Sequence, residues 1–153
     1  MSGFIAGGPT ASGHINSDPF WPSIDLDVLR AAQRIDASVS LARLETAVVA
    51  AAINVNRELA AWRDVQQAEG YSSLADVPAG QVRDVSERVH LYLRAIHMAT
   101  SAEVCERYRN YDSTKSGRQN AEDLSPTIDE YRRDQRWATR DFLGLGRSTV
   151  ELI

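Results

Sequence analysis

The chain has 153 residues, 43% hydrophobic and 25% charged, which suffices for one domain with a real core and no covalent staples. A formal net charge of -4 argues against bulk affinity for nucleic acid. Cys105 is the only cysteine, which excludes an internal disulfide and a thiolate metal site, and Lys115 is the only lysine. No basic and apolar leader opens the chain, and no apolar run approaches bilayer-spanning length, so a soluble cytoplasmic product and no membrane partner are expected.

Residues 1–19 are rich in Gly, Ser, Thr and Ala and cannot offset their own ordering entropy, which predicts a flexible N-terminal arm. A helical domain is expected over 20–146, and a tail over 147–153. Phe20, Trp21 and Pro22 form an aromatic entry that either seals one end of a bundle or meets a partner. Ser23 or Asp25 caps a first helix over 24–37, with Ile24, Val28, Ala32 and Ile35 on its apolar side. Ser40 caps a long helix over 40–69 that Gly70 ends. Its buried face is Leu41, Leu44, Val48, Val55, Leu59 and Trp62, and Val49 and Ile53 add a second apolar strip, so this helix should be central between two neighbours. At 1.5 Å per residue it would run about 40 Å, long for so small a chain.

Pro78 and Gly80 break the connector 71–80. Asp84 and Glu87 have capping-box spacing at the start of a helix over 84–108, whose buried stripe is Val82, Val85, Val89, Leu93, Ile96 and Thr100. His90 and His97 flank that stripe two turns apart and lack a third ligand, so no metal site is expected. Residues 111–123 read as a long loop.

The last helix is expected over 126–143, with Ser125 as its cap and Gly144 and Gly146 as its stop. Leu124, Ile128, Tyr131, Ala138 and Phe142 share the face that should be buried. Arg133, Arg136, Arg140 and Trp137 lie opposite, with Asp134 and Asp141 just beyond. A tryptophan on an arginine face is the anomaly of the sequence. Either Arg133 stacks on a solvated Trp137 or a neighbouring helix covers it, or the face meets a partner, since Trp and Arg are enriched at the energetic centres of interfaces. Adjacent basic and acidic stripes would suit identical subunits packed head to tail. Beyond the glycines, Arg147, Thr149, Val150, Leu152 and Ile153 make a β-prone tail with no strand to pair with inside the chain; it adds to another protein's sheet edge or stays disordered.

The predicted fold class is all-α: an elongated bundle of three long helices plus a shorter N-terminal one, with extended arms at both ends and no strand in its body. No glycine-rich phosphate loop, nucleophile elbow or His-Glu-x-x-His motif is present, and the carboxylates are scattered along solvated faces. Neither catalysis nor a cofactor is expected.

Several segments resemble the head completion protein family of temperate contractile-tailed phages. They are the Trp21–Asp25 entry, Leu74-Ala-Asp-Val-Pro-Ala79, Glu106-Arg-Tyr-Arg109 followed by Asp112-Ser-Thr114 and Gly117, and Thr127-Ile-Asp-Glu130 with Arg133-Asp134 and Arg136-Trp-Ala138. They occur in the family's order and spacing from about Phe20 to Ile153, while His90 and His97 stand outside the pattern. The resemblance implies a structural virion protein at the head–tail vertex, made in the host cytoplasm. It implies a ring, typically twelve-fold, that binds the portal protein after packaging and seals the filled head. The tail terminator or tail-completion protein would then attach, and DNA would pass through the channel without sequence-specific binding. Arg107, Arg109 and Asp112 would join the last helix's polar face in subunit or portal contacts, and the C-terminal tail would bind the portal. The competing reading is a small helical-bundle enzyme or regulatory protein acting as a monomer or dimer. A DNA-binding packaging factor is weaker on charge grounds.

Overall fold

The computed structural model describes residues 13–108 and 127–147. Residues 1–12 of the arm, the expected loop 111–123 and the tail beyond Arg147 lie outside the described residues, as do Ser125 and Leu124. The protein is mainly helical. In chain order the elements are β1 (His14–Ile15), β2 (Ile24–Asp25), α1 (Leu26–Ala32), α2 (Leu41–Glu58), α3 (Ala60–Ala68), a 3-10 turn (Leu74–Asp76), β3 (Gln81–Val82), β4 (Val85–Ser86), α4 (Glu87–Tyr108) and α5 (Ile128–Phe142).

Residues 13–19, expected to belong to the flexible arm, are fastened to the body. β1 pairs antiparallel with β2, His14 opposite Asp25, and the Leu26 amide donates to the Gly13 carbonyl. Ser17 Oγ accepts from Asn56 Nδ2 at 3.2 Å, and Asp18 pairs with Arg63 at 3.2 Å. The absence of strands expected for the body is therefore wrong, because Ile24 and Asp25 serve as an extended partner before Asp25 caps α1 by accepting from the Asp27 and Val28 amides. Only Leu26 and Leu29 of α1 are buried, and Val28 points to solvent.

The long helix expected over 40–69 is interrupted at Leu59, whose φ of -97° and ψ of 1° close α2 and open α3. Leu44, Val48, Val55 and Leu59 are buried as the periodicity requires, but Leu41, Val49 and Ile53 are exposed. The central helix is α4 instead, which packs against both α2 and α5. It starts at Glu87, later than the capping-box spacing suggests. Arg83 and Asp84, at φ of 54° and 59°, form the two-residue turn of a β3–β4 hairpin, with Val82 opposite Val85. That hairpin holds Val82 and Val85 in solvent, so the buried stripe of α4 begins at Val89 and continues through Tyr92, Ala95, Ile96 and Ala99.

The core centres on aromatic rings. Trp21 stacks on Tyr92 with centroids 4.8 Å apart and meets Phe20 edge-on at 4.9 Å, while Phe142 packs edge-on to Trp62 at 4.7 Å. Phe20 and Trp21 thus seal the body from within. Tyr92 gives its hydroxyl proton to Asn56 Oδ1 at 2.6 Å, and burial pushes its pKa to about 12. The Arg88 guanidinium lies 4.9 Å over the Trp62 ring and donates to the Phe142 carbonyl at the C-terminal end of α5.

His90 Nε2 meets the Val82 carbonyl of the β3–β4 hairpin at 2.7 Å. Among the described residues no cluster of three His, Cys, Asp or Glu could hold a metal ion. Burial lowers the pKa of His97 below its ordinary 6.5, so the folded state binds fewer protons there than the unfolded chain. Stability contributed by neutral His97 is therefore full above pH 6.5 and falls with pH through the folded value. Urea unfolding at pH 7.5 and 5.5 should show this loss, and His97→Gln should reduce it; an unchanged pH slope would refute the assignment.

Candidate functional site

Thr127 opens α5 with a reciprocal cap: its Oγ1 accepts from the Glu130 amide at 3.2 Å, and the Glu130 carboxylate accepts from the Thr127 amide at 2.6 Å. Gln135, Ala138, Thr139 and Phe142 then face the core, with Ile128 and Tyr131 half-buried. The opposite side carries Arg133 and Arg136, which are exposed, and Asp134, Trp137, Arg140 and Asp141, which are half-buried.

Trp137 is sandwiched. Arg133 lies 4.6 Å and Arg147 4.7 Å from the centre of its ring. Each cation is held by a carboxylate, Arg133 by Asp134 at 3.0 Å and Arg147 by Asp141 at 2.7 Å. The hydrogen bond from Arg147 holds the Asp141 carboxyl below its ordinary pKa. Arg140 donates to the Gly146 carbonyl at 2.7 Å. Stacking by Arg133, expected from its place one turn before Trp137, is present, and Arg147 adds a second layer. Together these contacts fasten residues 145–147 along α5, the base from which the β-prone tail continues.

Arg107 belongs to a different cluster, at the seam of α4 and α5. Glu103, only 8% exposed, accepts from Arg107 at 3.1 Å and from Arg132 at 3.3 Å, and Arg132 also reaches Glu106 at 3.0 Å. Burial disfavours the Arg132 charge, but hydrogen bonds to Glu106 and Glu103 outweigh it and raise its pKa. Sequence spacing gives no sign of this network, since the contact joins residues 26 and 29 positions apart. Arg109, Asp112, Thr149, Val150, Leu152 and Ile153 lie outside the described residues.

Beside the seam, Asn54, Arg57 and Glu58 of α2 and Arg132, Gln135 and Arg136 of α5 line a cleft of about 370 Å³. The guanidinium groups of Arg57 and Arg136 have no hydrogen-bond or ion-pair partner among the described residues. Two guanidinium groups at a polar cleft suit recognition of a carboxylate or another anion.

A model of the phage head completion protein (GPL) family matches residues 15–153. The chain is 37% identical over 134 residues to the head completion/stabilization protein of Escherichia phage P2, covering 88% of this chain and 79% of that protein. No solved structure matches. The chain thus belongs to the phage head completion protein family and is a structural virion protein rather than an enzyme.

Proposed function

We propose that copies of this protein form a ring, twelve-fold by analogy with related connectors, on the portal of a filled phage head. The ring closes the head at its tail vertex and offers a surface to the tail terminator or tail-completion protein, while DNA passes without sequence-specific contact. The observation that carries the reading is the Trp137 face. An aromatic ring layered between Arg133 and Arg147, with Asp134 and Asp141 beside them, has the composition of an interface centre on an otherwise polar helix. Basic and acidic groups alternate there, which suits head-to-tail packing of identical subunits. Arg136 and Arg140 extend this surface, Arg107 adds a charged group at the α4–α5 seam, and Arg109, Asp112, Thr149, Val150, Leu152 and Ile153 belong to the same proposal as further subunit and portal contacts. The acid surplus supports an unobstructed channel, since a strongly basic lumen would hold phosphate.

Imaging of particles made with tagged protein tests this, and density at the head–tail vertex is the expected result. Trp137→Ala should reduce that density while costing the lone subunit under about 1 kcal/mol, the scale of an exposed cation–π contact. Normal vertex density with a strongly lowered melting temperature would show that Trp137 serves the fold alone.

A further inference from the structure

The outer face of α2 carries an unpartnered ridge. Glu45, Val49, Ile53 and Arg57 follow one another at intervals of four, and Val49 and Ile53 are 45% and 52% exposed. Ala42, Thr46 and Ala50 lie on the same side of the helix, and their small side chains leave grooves beside the ridge. Glu45 has no hydrogen-bond or ion-pair partner among the described residues, and Arg57 stands without one at the lip of the cleft it shares with Asn54, Glu58 and Arg136. In either direction the ridge has the same character: charge, branched aliphatic, branched aliphatic, opposite charge.

A ridge of that kind is complementary to itself when reversed. We propose that α2 is a two-fold contact between two copies of this chain, in which Val49 of each copy packs on Ile53 of the other and Glu45 of each meets the other's Arg57. Ridges of residues four apart run parallel when two helices cross at about 50°, the commonest helix-packing geometry, so the contact needs no rearrangement of the fold. Glu45 and Arg57 lie about 18 Å apart along the axis, and the two-fold axis passes between Val49 and Ile53, so both ion pairs form at once. The contact covers apolar surface that a free subunit would leave in water. Being isologous, it closes at two copies, and it is a contact of free subunits, because no two neighbours in a single ring on one portal are related by such an axis.

Sedimentation of the full chain over a concentration series tests the pairing. A reversible monomer–dimer equilibrium is expected, weakened by salt. Glu45→Arg should raise the dissociation constant at least about tenfold, because guanidinium would then face guanidinium at both ends of the contact. Combining it with Arg57→Glu should restore dimerisation, since the reversed charges remain complementary. All these positions are solvent-facing, so melting temperatures should stay at the parental value and a folding defect cannot imitate the result. A wild-type chain that remains monomeric, a Glu45→Arg variant that dimerises normally, or a double exchange that fails to rescue would each overturn the proposal.

Discussion

Trp21→Ala is expected to lower the unfolding free energy by about 3–5 kcal/mol, the range for truncating a buried aromatic side chain. The indole is 4% exposed and lies parallel to the Tyr92 ring, edge-on to Phe20 and 6.3 Å from Phe142. Removing it opens a cavity that touches the entry segment, α4 and α5 together, so neighbouring side chains cannot close it from one side. Its Nε1–H finds no acceptor among the described residues. Trp21→Phe should therefore cost distinctly less than Trp21→Ala, because it removes volume but sacrifices no hydrogen bond. Guanidinium unfolding midpoints give both values. A loss under about 1 kcal/mol for Trp21→Ala would mean that this aromatic entry is not part of the core.

The second large effect concerns assembly. Deleting residues 147–153 should leave the melting temperature almost unchanged while filled heads lose both the protein and their DNA. Among the described residues, the Arg147 side chain meets the half-buried Trp137 and Asp141 from the exposed side of α5, contacts that contribute little to folding. Thr149, Val150, Leu152 and Ile153 favour extended structure, and an added strand gains main-chain hydrogen bonds worth about 0.5–1.5 kcal/mol each. A few such bonds amount to more than about tenfold in retention. Counting DNA-filled heads in lysates complemented by the truncated protein measures it. Filled heads at the parental level would show that the helical faces alone hold the protein in place.

Periodicity makes much of the helical body legible. Leu44, Val48, Val55, Leu59, Ala138 and Phe142 are buried as their spacing demands. It misleads at Val49 and Ile53, because an apolar strip looks the same whether it faces a neighbouring helix or nothing within the subunit. It also misleads at Val82 and Val85. The turn between them uses Arg83 and Asp84 at positive φ, where glycine or asparagine is the usual signal, so the hairpin leaves no mark and its valines read as part of the following helix. The break at Leu59 has no proline or glycine to announce it. The Arg133–Trp137 stack is readable because its partners sit one turn apart, whereas Arg147 comes round from beyond the glycines that end α5. The cleft is invisible for the same reason, since Arg57 and Arg136 meet only after folding.

The interruption at Leu59 is spanned by a segment that precedes both helices in the chain. Ser17 takes a hydrogen bond from Asn56 on α2, 39 positions away, and Asp18 grips Arg63 on α3, 45 positions away. These adjacent residues bridge the two sides of the interruption, and Phe20 and Leu59 are both buried. One side chain on each helical piece is therefore tied to a single short segment that precedes both in the chain.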